Sequence, residues 1–245
     1  MNATLKTTAK KMLSAVGLQD RAQLLWTARN APGRRNIRDD RQLKFLIRAT
    51  LTPTSNCIDI GAAQGEILRE MVLVAPQGQH MAFEPIPEAS ELLREQFPTV
   101  EIHGIALSNE VGDLEYHVAE IPPLSGLQQR DWLDTRYETI TVPVARLDEL
   151  VPAGKGIDLI KIDVEGAQVR VLQGATRVLA EHHPLLWIEH GDRSAATHGT
   201  TRRDLWDLLV DNDYRLFTAD GDGPLSWDEF DSADIKRLWT FLAHC

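Results

Sequence analysis

From about residue 54 onward, short apolar runs alternate with segments of helical spacing, and this limits the chain to a mostly parallel sheet with helices on both faces. The runs at 57–60, 80–84, 100–105, 157–163 and 184–189 are predicted as the first five core strands. Helices are predicted over 66–75, 87–97, 166–181 and 201–211, with Pro76 and Gly78 stopping the first and Pro87 in the first turn of the second. Residues 214–218 and 238–243 supply the last two strands. Between the third and fourth strands, 114–118 and 139–144 alternate in hydrophobicity and form a hairpin-like insertion, about 112–145 in all. Ahead of the sheet, residues 4–29 read as helix broken near Gly17, and Ala31-Pro32-Gly33 reads as a turn. Asp39 or Asp40 then caps a second helix with Leu43, Leu46 and Ile47 on one face. The expected organisation is an N-terminal helical arm over 1–50 and an α/β domain over 51–245.

Charge and cysteine usage narrow the function. The 245 residues carry a formal net charge of −10, where a duplex-binding protein needs a basic footprint. Arg29, Arg34, Arg35, Arg38 and Arg41 are the one basic concentration, interrupted by Asp39 and Asp40, and read as a solvated surface. No nucleic-acid partner is expected. No apolar stretch reaches the length of a transmembrane segment, and Lys6, Lys10 and Lys11 are not followed by the apolar core of a secretory signal. Cys57 and Cys245 cannot build a disulfide framework, so a cytoplasmic protein is expected. Asp220, Asp222, Asp228 and Asp231 lack the ligand order of a calcium loop and read as an acidic turn.

Three motifs carry chemistry. The first, Asp59-Ile60-Gly61-Ala62-Ala63-Gln64-Gly65, leaves the first strand. Gly61 permits a tight turn, the small Ala62 and Ala63 let a ligand approach the backbone, and Gly65 lets the next helix pack close to the strand. The spacing is not the Gly-x-Gly-x-x-Gly of a pyrophosphate site. It suits a ligand without phosphate, with Asp59 accepting hydrogen bonds from an amino group, directly or through water. The second motif, Phe83-Glu84-Pro85, places Glu84 at the next strand end, where it can accept both hydroxyls of a ribose. That contact by itself fits S-adenosylmethionine and a nicotinamide dinucleotide equally.

The third motif is Leu159-Ile160-Lys161-Ile162-Asp163-Val164-Glu165-Gly166-Ala167, followed by Val171-Leu172-Gln173-Gly174-Ala175. It resembles the signature of the FkbM family of methyltransferases. Asp59-Ile60-Gly61-Ala62, Ala82-Phe83-Glu84-Pro85, Ala106-Leu107-Ser108 with Gly112, and Arg146-Leu147-Asp148 look like that family's other segments in order. The resemblance covers roughly residues 40–245. The chain departs from the family at Ala63, usually Asn, at Glu66, usually aromatic, and at Gln168, usually Glu. The resemblance implies a class I methyltransferase fold, a Rossmann-like seven-stranded sheet in order 3-2-1-4-5-7-6 with strand 7 antiparallel. It also implies S-adenosylmethionine as cofactor and O-methylation of a sugar or secondary metabolite.

Ligands in open α/β sheets bind beyond the carboxyl ends of the strands. Asp59, Gly61, Ala62, Ala63, Gly65, Glu84 and Pro85 are thus the expected cofactor residues, with adenine contacts near His103, Gly104 and Ile105. Asp163 faces both cofactor and acceptor pocket, and Glu189 and His190 are candidate bases, since an alcohol needs a base within hydrogen-bond reach. Lys161 and Glu165 read instead as a strand-flanking ion pair and a helix cap. Asp163 and Glu189 would also suit Mg²⁺, but a metal-free site is preferred. Ser125 and Gly126 close over the site, and Trp132 and Tyr137 pack or line its wall. The expected partner is a small-molecule hydroxyl acceptor, a glycan or natural product, and a homo-oligomer through the N-terminal helices is compatible with the sequence. The competing readings are an NAD(P)-dependent oxidoreductase on a related fold and a non-catalytic cofactor-binding homologue.

Overall fold

The computed structural model describes residues 31–120, 125–129, 136–232 and 234–245. The helix expected over 4–29 and Trp132 lie outside them. The chain divides into two compact units, Met1–Leu43 and Lys44–Cys245. In the first, the described residues belong to helix α1 (Ala31–Thr50), which continues into the second. Ala31, Pro32 and Gly33 are therefore helical rather than a turn, and Asp39 and Asp40 lie within the helix rather than capping it. Asp39 pairs along the helix with Arg35 at 3.2 Å.

The second unit is built on a seven-stranded sheet. Its strands are β1 (Cys57–Ile60), β2 (Met81–Phe83), β3 (Glu101–His103), β7 (Leu159–Ile162), β8 (Leu185–Glu189), β9 (Arg215–Thr218) and β10 (Thr240–His244). The order is β3-β2-β1-β7-β8-β10-β9, which in core-strand numbers is the expected 3-2-1-4-5-7-6. β1 pairs in parallel with β2 and β7, β2 with β3, and β7 with β8, whereas β10 runs antiparallel to both β8 and β9. β1 and β7 are buried at all four positions, the mark of strands covered on both faces. Ile58, Ile60, Met81, Phe83, Ile160, Ile162, Leu186 and Ile188 form the centre of the core. Each such buried side chain contributes about 1.5–3 kcal/mol.

The covering helices follow their local signals. α2 (Glu66–Val74) starts after Gly65, and α3 (Pro87–Gln96) starts on its proline. The expected helix over 166–181 is two, α5 (Gln168–Gln173) and α6 (Thr176–His182), parted at Gly174. A Cβ on Gly174 would stand 2.1 Å from the carbonyl oxygen of Ser108. α4 (Leu147–Leu150) carries Asp148, whose carboxylate accepts the backbone N–H of Arg177 (2.9 Å) and Val178 (3.0 Å) in α6. The Arg146-Leu147-Asp148 motif is thus a clamp on α6. α7 (Asp192–Thr197) and α8 (Arg202–Asp211) follow β8, with a capping box between Thr201 and Asp204 on α8. The acidic segment 219–234 holds a short helix, α9 (Trp227–Phe230), set by a second capping box between Ser226 and Glu229. Periodicity missed it because it has barely one turn.

The insertion forms its own three-stranded sheet. β4 (Ala106–Leu107) pairs in parallel with β6 (Tyr137–Ala145), which pairs antiparallel with β5 (Gly112–Ala119). Val142, Val144 and Leu127 pack against Ala167 and Val164 of the third motif, seating the insertion beside the tip of β7.

Candidate active site

The tips of β1, β2, β7 and β8 bring a group of acidic residues together around Lys161. At β1 the chain turns with Gly61 at φ +77°, Ala63 at +46° and Gly65 at +76°. The N–H groups of Gly61 and Ala62 both donate to the Phe83 carbonyl (2.9 and 3.2 Å), which ties the turn to β2. A Cβ on Gly61 would stand 1.9 Å from the Asp163 carbonyl oxygen, so glycine lets the β1 and β7 tips touch. A Cβ on Gly65 would meet Phe97 at 2.5 Å and Leu93 at 2.7 Å. The partner that requires this glycine is therefore α3 and the residue after it, rather than the strand the sequence suggested.

Lys161 is the hub of this group. Parallel register sets it directly across from Asp59 on one side and Trp187 on the other. Its Nζ donates to the Gly61 carbonyl at 2.6 Å and lies 3.2 Å from Asp59 Oδ1 and 3.6 Å from Asp163 Oδ2. The ammonium is buried, yet its pKa is raised, because the charges of Asp59 and Asp163 outweigh the opposing desolvation. Asp59 is 1% exposed, and its oxygens make an ion-pair contact but no aligned hydrogen bond. Burial raises its pKa against the pull of Lys161. Lys161 thus makes the ion pair that the sequence reading expected, but buried and shared between two carboxylates.

Glu84 is also buried. Its Oε2 accepts the Ala63 N–H at 2.9 Å and its Oε1 accepts the Ile86 N–H at 3.0 Å. Desolvation raises its pKa and these two donors oppose that. The ring of His103 is stacked on Phe83 with centroids 4.8 Å apart, and Gly104 and Ile105 follow it in the chain.

At the other end, Asp163 is bonded through its N–H to the Ile60 carbonyl (3.0 Å) and keeps 35% of its side chain exposed. Glu189 adjoins Asp163, one position past the Ile162–Ile188 pair, and its pKa stands well above the carboxylate range, first through burial and then through the charges of Asp163 and Glu165. Gln168 donates from Nε2 to the Glu189 carbonyl. Glu165 sits at φ +53° in the turn before α5, whose N-cap position is Ala167. His190 is completely buried, with Nε2 3.4 Å from Asp192 Oδ1, and Arg202 Nε holds the same carboxylate oxygen at 2.8 Å. The structure thus gathers Asp59, Glu84, Asp163 and Glu189 around Lys161 and buries His190 against Asp192.

Of the insertion, Ser125 is buried with its hydroxyl accepting the Ala119 N–H at 2.9 Å. Gly126 bridges to His117, and a Cβ on it would stand 3.6 Å from Glu165. Tyr137 makes an edge contact with His117 at 6.3 Å. No group of three or more His, Cys, Asp or Glu among the described residues has metal-holding geometry.

A family model for the methyltransferase FkbM domain matches residues 59–216, from the β1 tip into β9. The chain belongs to the FkbM family of S-adenosylmethionine-dependent methyltransferases. The 2-O-methyltransferase NoeI of Sinorhizobium fredii (strain NBRC 101917 / NGR234) is 27% identical over 177 residues, 64% of this chain and 72% of that protein. A crystal structure of methyltransferase FkbM from Methylobacillus flagellatus KT superposes with a TM-score of 0.51 at 18% identity, over 80% of this chain. The chain spans 44% of that protein's length, and the likeness is one of fold. Within the FkbM pattern, two departures have a local reading. Ala63 takes a left-handed conformation that Asn tolerates better than Ala, and Gln168 donates a hydrogen bond that an ionised Glu could not.

Proposed function

We propose that this FkbM-family chain methylates a hydroxyl oxygen of a small molecule, a sugar or another natural product, using S-adenosylmethionine. The observation that carries the reading is the charge of the site. Asp59, Glu84 and Asp163 outnumber the ammonium of Lys161, with Glu189 beside them as a further acidic group. Such a site suits a sulfonium cation and repels the pyrophosphate of a dinucleotide. The residues fit this donor in two further ways. Asp59 stands near the end of the strand that runs into the Gly61 turn, with Lys161 on its Oδ1, and its carboxylate can receive an amino group or that group's bound water. Each oxygen of Glu84 takes one backbone N–H and keeps a lone pair for a ribose hydroxyl.

When bound, the donor supplies a methyl carbon whose C–S electron pair returns to sulfur as the acceptor oxygen bonds the carbon. The protein's task is alignment and removal of the hydroxyl proton. Asp163 is the acceptor-facing carboxylate and is partly exposed. Glu189 adjoins it, and the Ser125–Gly126 segment closes the side next to Glu165. The wholly buried His190 reaches an acceptor only if its cover moves, so it supports the β8 tip. The name of NoeI, a 2-O-methyltransferase, supports a hydroxyl acceptor. No step requires a metal.

Calorimetry with S-adenosylhomocysteine and with NADH tests the donor: the first is expected to bind and the second not. Transfer of labelled methyl from S-adenosylmethionine to a panel of hydroxylated and aminated acceptors, with a chelator present, tests the rest. Label moving only to amines would overturn the reading.

A further inference from the structure

We propose that Lys161 is a positioning residue that commits Asp163, rather than Glu189, to receive the proton of the acceptor hydroxyl. The proposal rests on the methyltransferase reading above and names the base within it. Asp163 and Glu189 are neighbours, each one position past the paired Ile162 and Ile188 at the ends of β7 and β8, and the charge of Asp163 bears on Glu189. Two such groups do not both ionise, so one keeps its proton. Geometry decides which. Lys161 Nζ is 3.6 Å from Asp163 Oδ2, and its ion pairs within 4 Å are with Asp163 and Asp59, not Glu189. On the other side, Glu165 adds a like charge against Glu189. The ammonium therefore favours the charge on Asp163, and the second carboxylate disfavours it on Glu189. Lys161 cannot drift away, since its Nζ is fixed on the Gly61 carbonyl at 2.6 Å and its side chain is only 10% exposed.

The charged groups around the pair are Lys161 and Asp163 from β7 and its exit, Asp59 from β1, Glu165 from the following turn, and Glu189 itself. In this arrangement Glu189 keeps its proton and stands neutral beside the charged Asp163. Asp163 presents its free lone pairs to the acceptor. As the acceptor oxygen bonds the methyl carbon, its proton passes to Asp163, which becomes a neutral acid and later releases the proton to solvent.

The test needs no acceptor. Carboxyl carbons of Asp and Glu are ¹³C-labelled in the full chain, and their pH titrations are followed by NMR. The two resonances are assigned by their loss in Asp163→Asn and Glu189→Gln. The wild type is expected to titrate Glu189 at higher pH than Asp163. Lys161→Gln is expected to raise the Asp163 midpoint at least tenfold in proton affinity, and Lys161→Arg to restore it. Asp163 titrating above Glu189 in the wild type, or an Asp163 midpoint unmoved in Lys161→Gln, would overturn the proposal. Should Lys161→Gln fail to fold, Asp59→Asn tests the same link: it frees the ammonium for Asp163 and lowers that midpoint, and no movement overturns the idea. Calorimetry with S-adenosylhomocysteine on the wild type is read separately. Failure to bind counts against the methyltransferase reading, whereas the order of titration decides the role of Lys161.

Discussion

Replacing Gly61 with alanine should be among the most damaging single-methyl additions in this fold. The glycine sits at φ +77°, and a Cβ there would lie 1.9 Å from the Asp163 carbonyl oxygen and 3.0 Å from its carbon. Both obstacles are backbone, so no rotamer change removes them. The left-handed conformation alone costs an L-residue about 1–2 kcal/mol. Forcing the β1 and β7 tips apart by more than an ångström adds a further ~1–3 kcal/mol of overpacking. A loss near 3 kcal/mol is expected in urea denaturation, together with a marked loss of S-adenosylhomocysteine affinity by calorimetry, because the same shift displaces Lys161 from the Gly61 carbonyl. The neighbouring Ala63→Gly is the control. Ala63 is exposed at φ +46°, and glycine there should stabilise by roughly 0.5–1 kcal/mol after its greater unfolded-state freedom is counted. Gly61→Ala losing less than about 1 kcal/mol, under the cost of its backbone conformation, would refute the close approach of the two strand tips.

Glu84→Ala should weaken S-adenosylhomocysteine binding by about 1–3 kcal/mol, the cost of removing one partner of a buried polar contact; unchanged affinity would dismiss the ribose assignment. Asp192 is held at about 2, first by its contact with His190 and then by Arg202, against an ordinary 3.8. A depressed carboxylate contributes stability above its unfolded pKa that is lost as pH falls through the folded one. Asp192→Asn should therefore cost roughly 1 kcal/mol at neutral pH, discounted for 43% side-chain exposure. The gap to wild type should close between pH 3.8 and about 2, and a gap constant across that window would refute the pairing. Burial pushes the Cys57 thiol up to about 12, whereas Cys245 is exposed. Mass spectrometry after alkylation of the native chain should find one modified thiol, at Cys245, and two after denaturation; rapid native labelling of Cys57 would contradict a sealed β1.

Much of this architecture could be read from periodicity because buried parallel strands leave a strong signal. Cys57–Ile60 and Leu159–Ile162 are apolar runs broken by one charged residue each, Asp59 and Lys161, and both occupy wholly buried positions. The glycine turn and Glu84 were legible for a related reason: a strand end followed by Gly, or by acid and Pro, restricts the chain locally. What failed to show was decided across space. Gly174 divides a predicted helix because Ser108, far off in sequence, packs against it. Gly65 answers to Phe97 and Leu93 rather than to the strand it follows. His190 stood next to Glu189 in the chain as an equal candidate, but the turn after β8 buries it against Asp192, in the network that also holds Arg202.

The case of Lys161 shows where local reading ends and register begins. A lysine inside an apolar strand invites a bland assignment, since its long stem usually carries the charge out to water. Here the residue one strand over at the same level is Asp59, and a parallel pair puts both side chains on one face. Two residues further along, Asp163 leaves the same strand on that same face, as the period of two requires. The ammonium is therefore caught between an acid on its neighbour strand and an acid on its own, under the carbonyl of the turn that joins them. Each carboxylate alone would be costly at this depth, and so would the lysine. Together they are mutually required, and removing the cation leaves the buried charge of Asp59 facing the half-buried one of Asp163. The spacing of Lys161 and Asp163 within the Lys-Ile-Asp motif is thus fixed by sheet geometry, and the presence of Asp59 one strand away gives that spacing its chemical use.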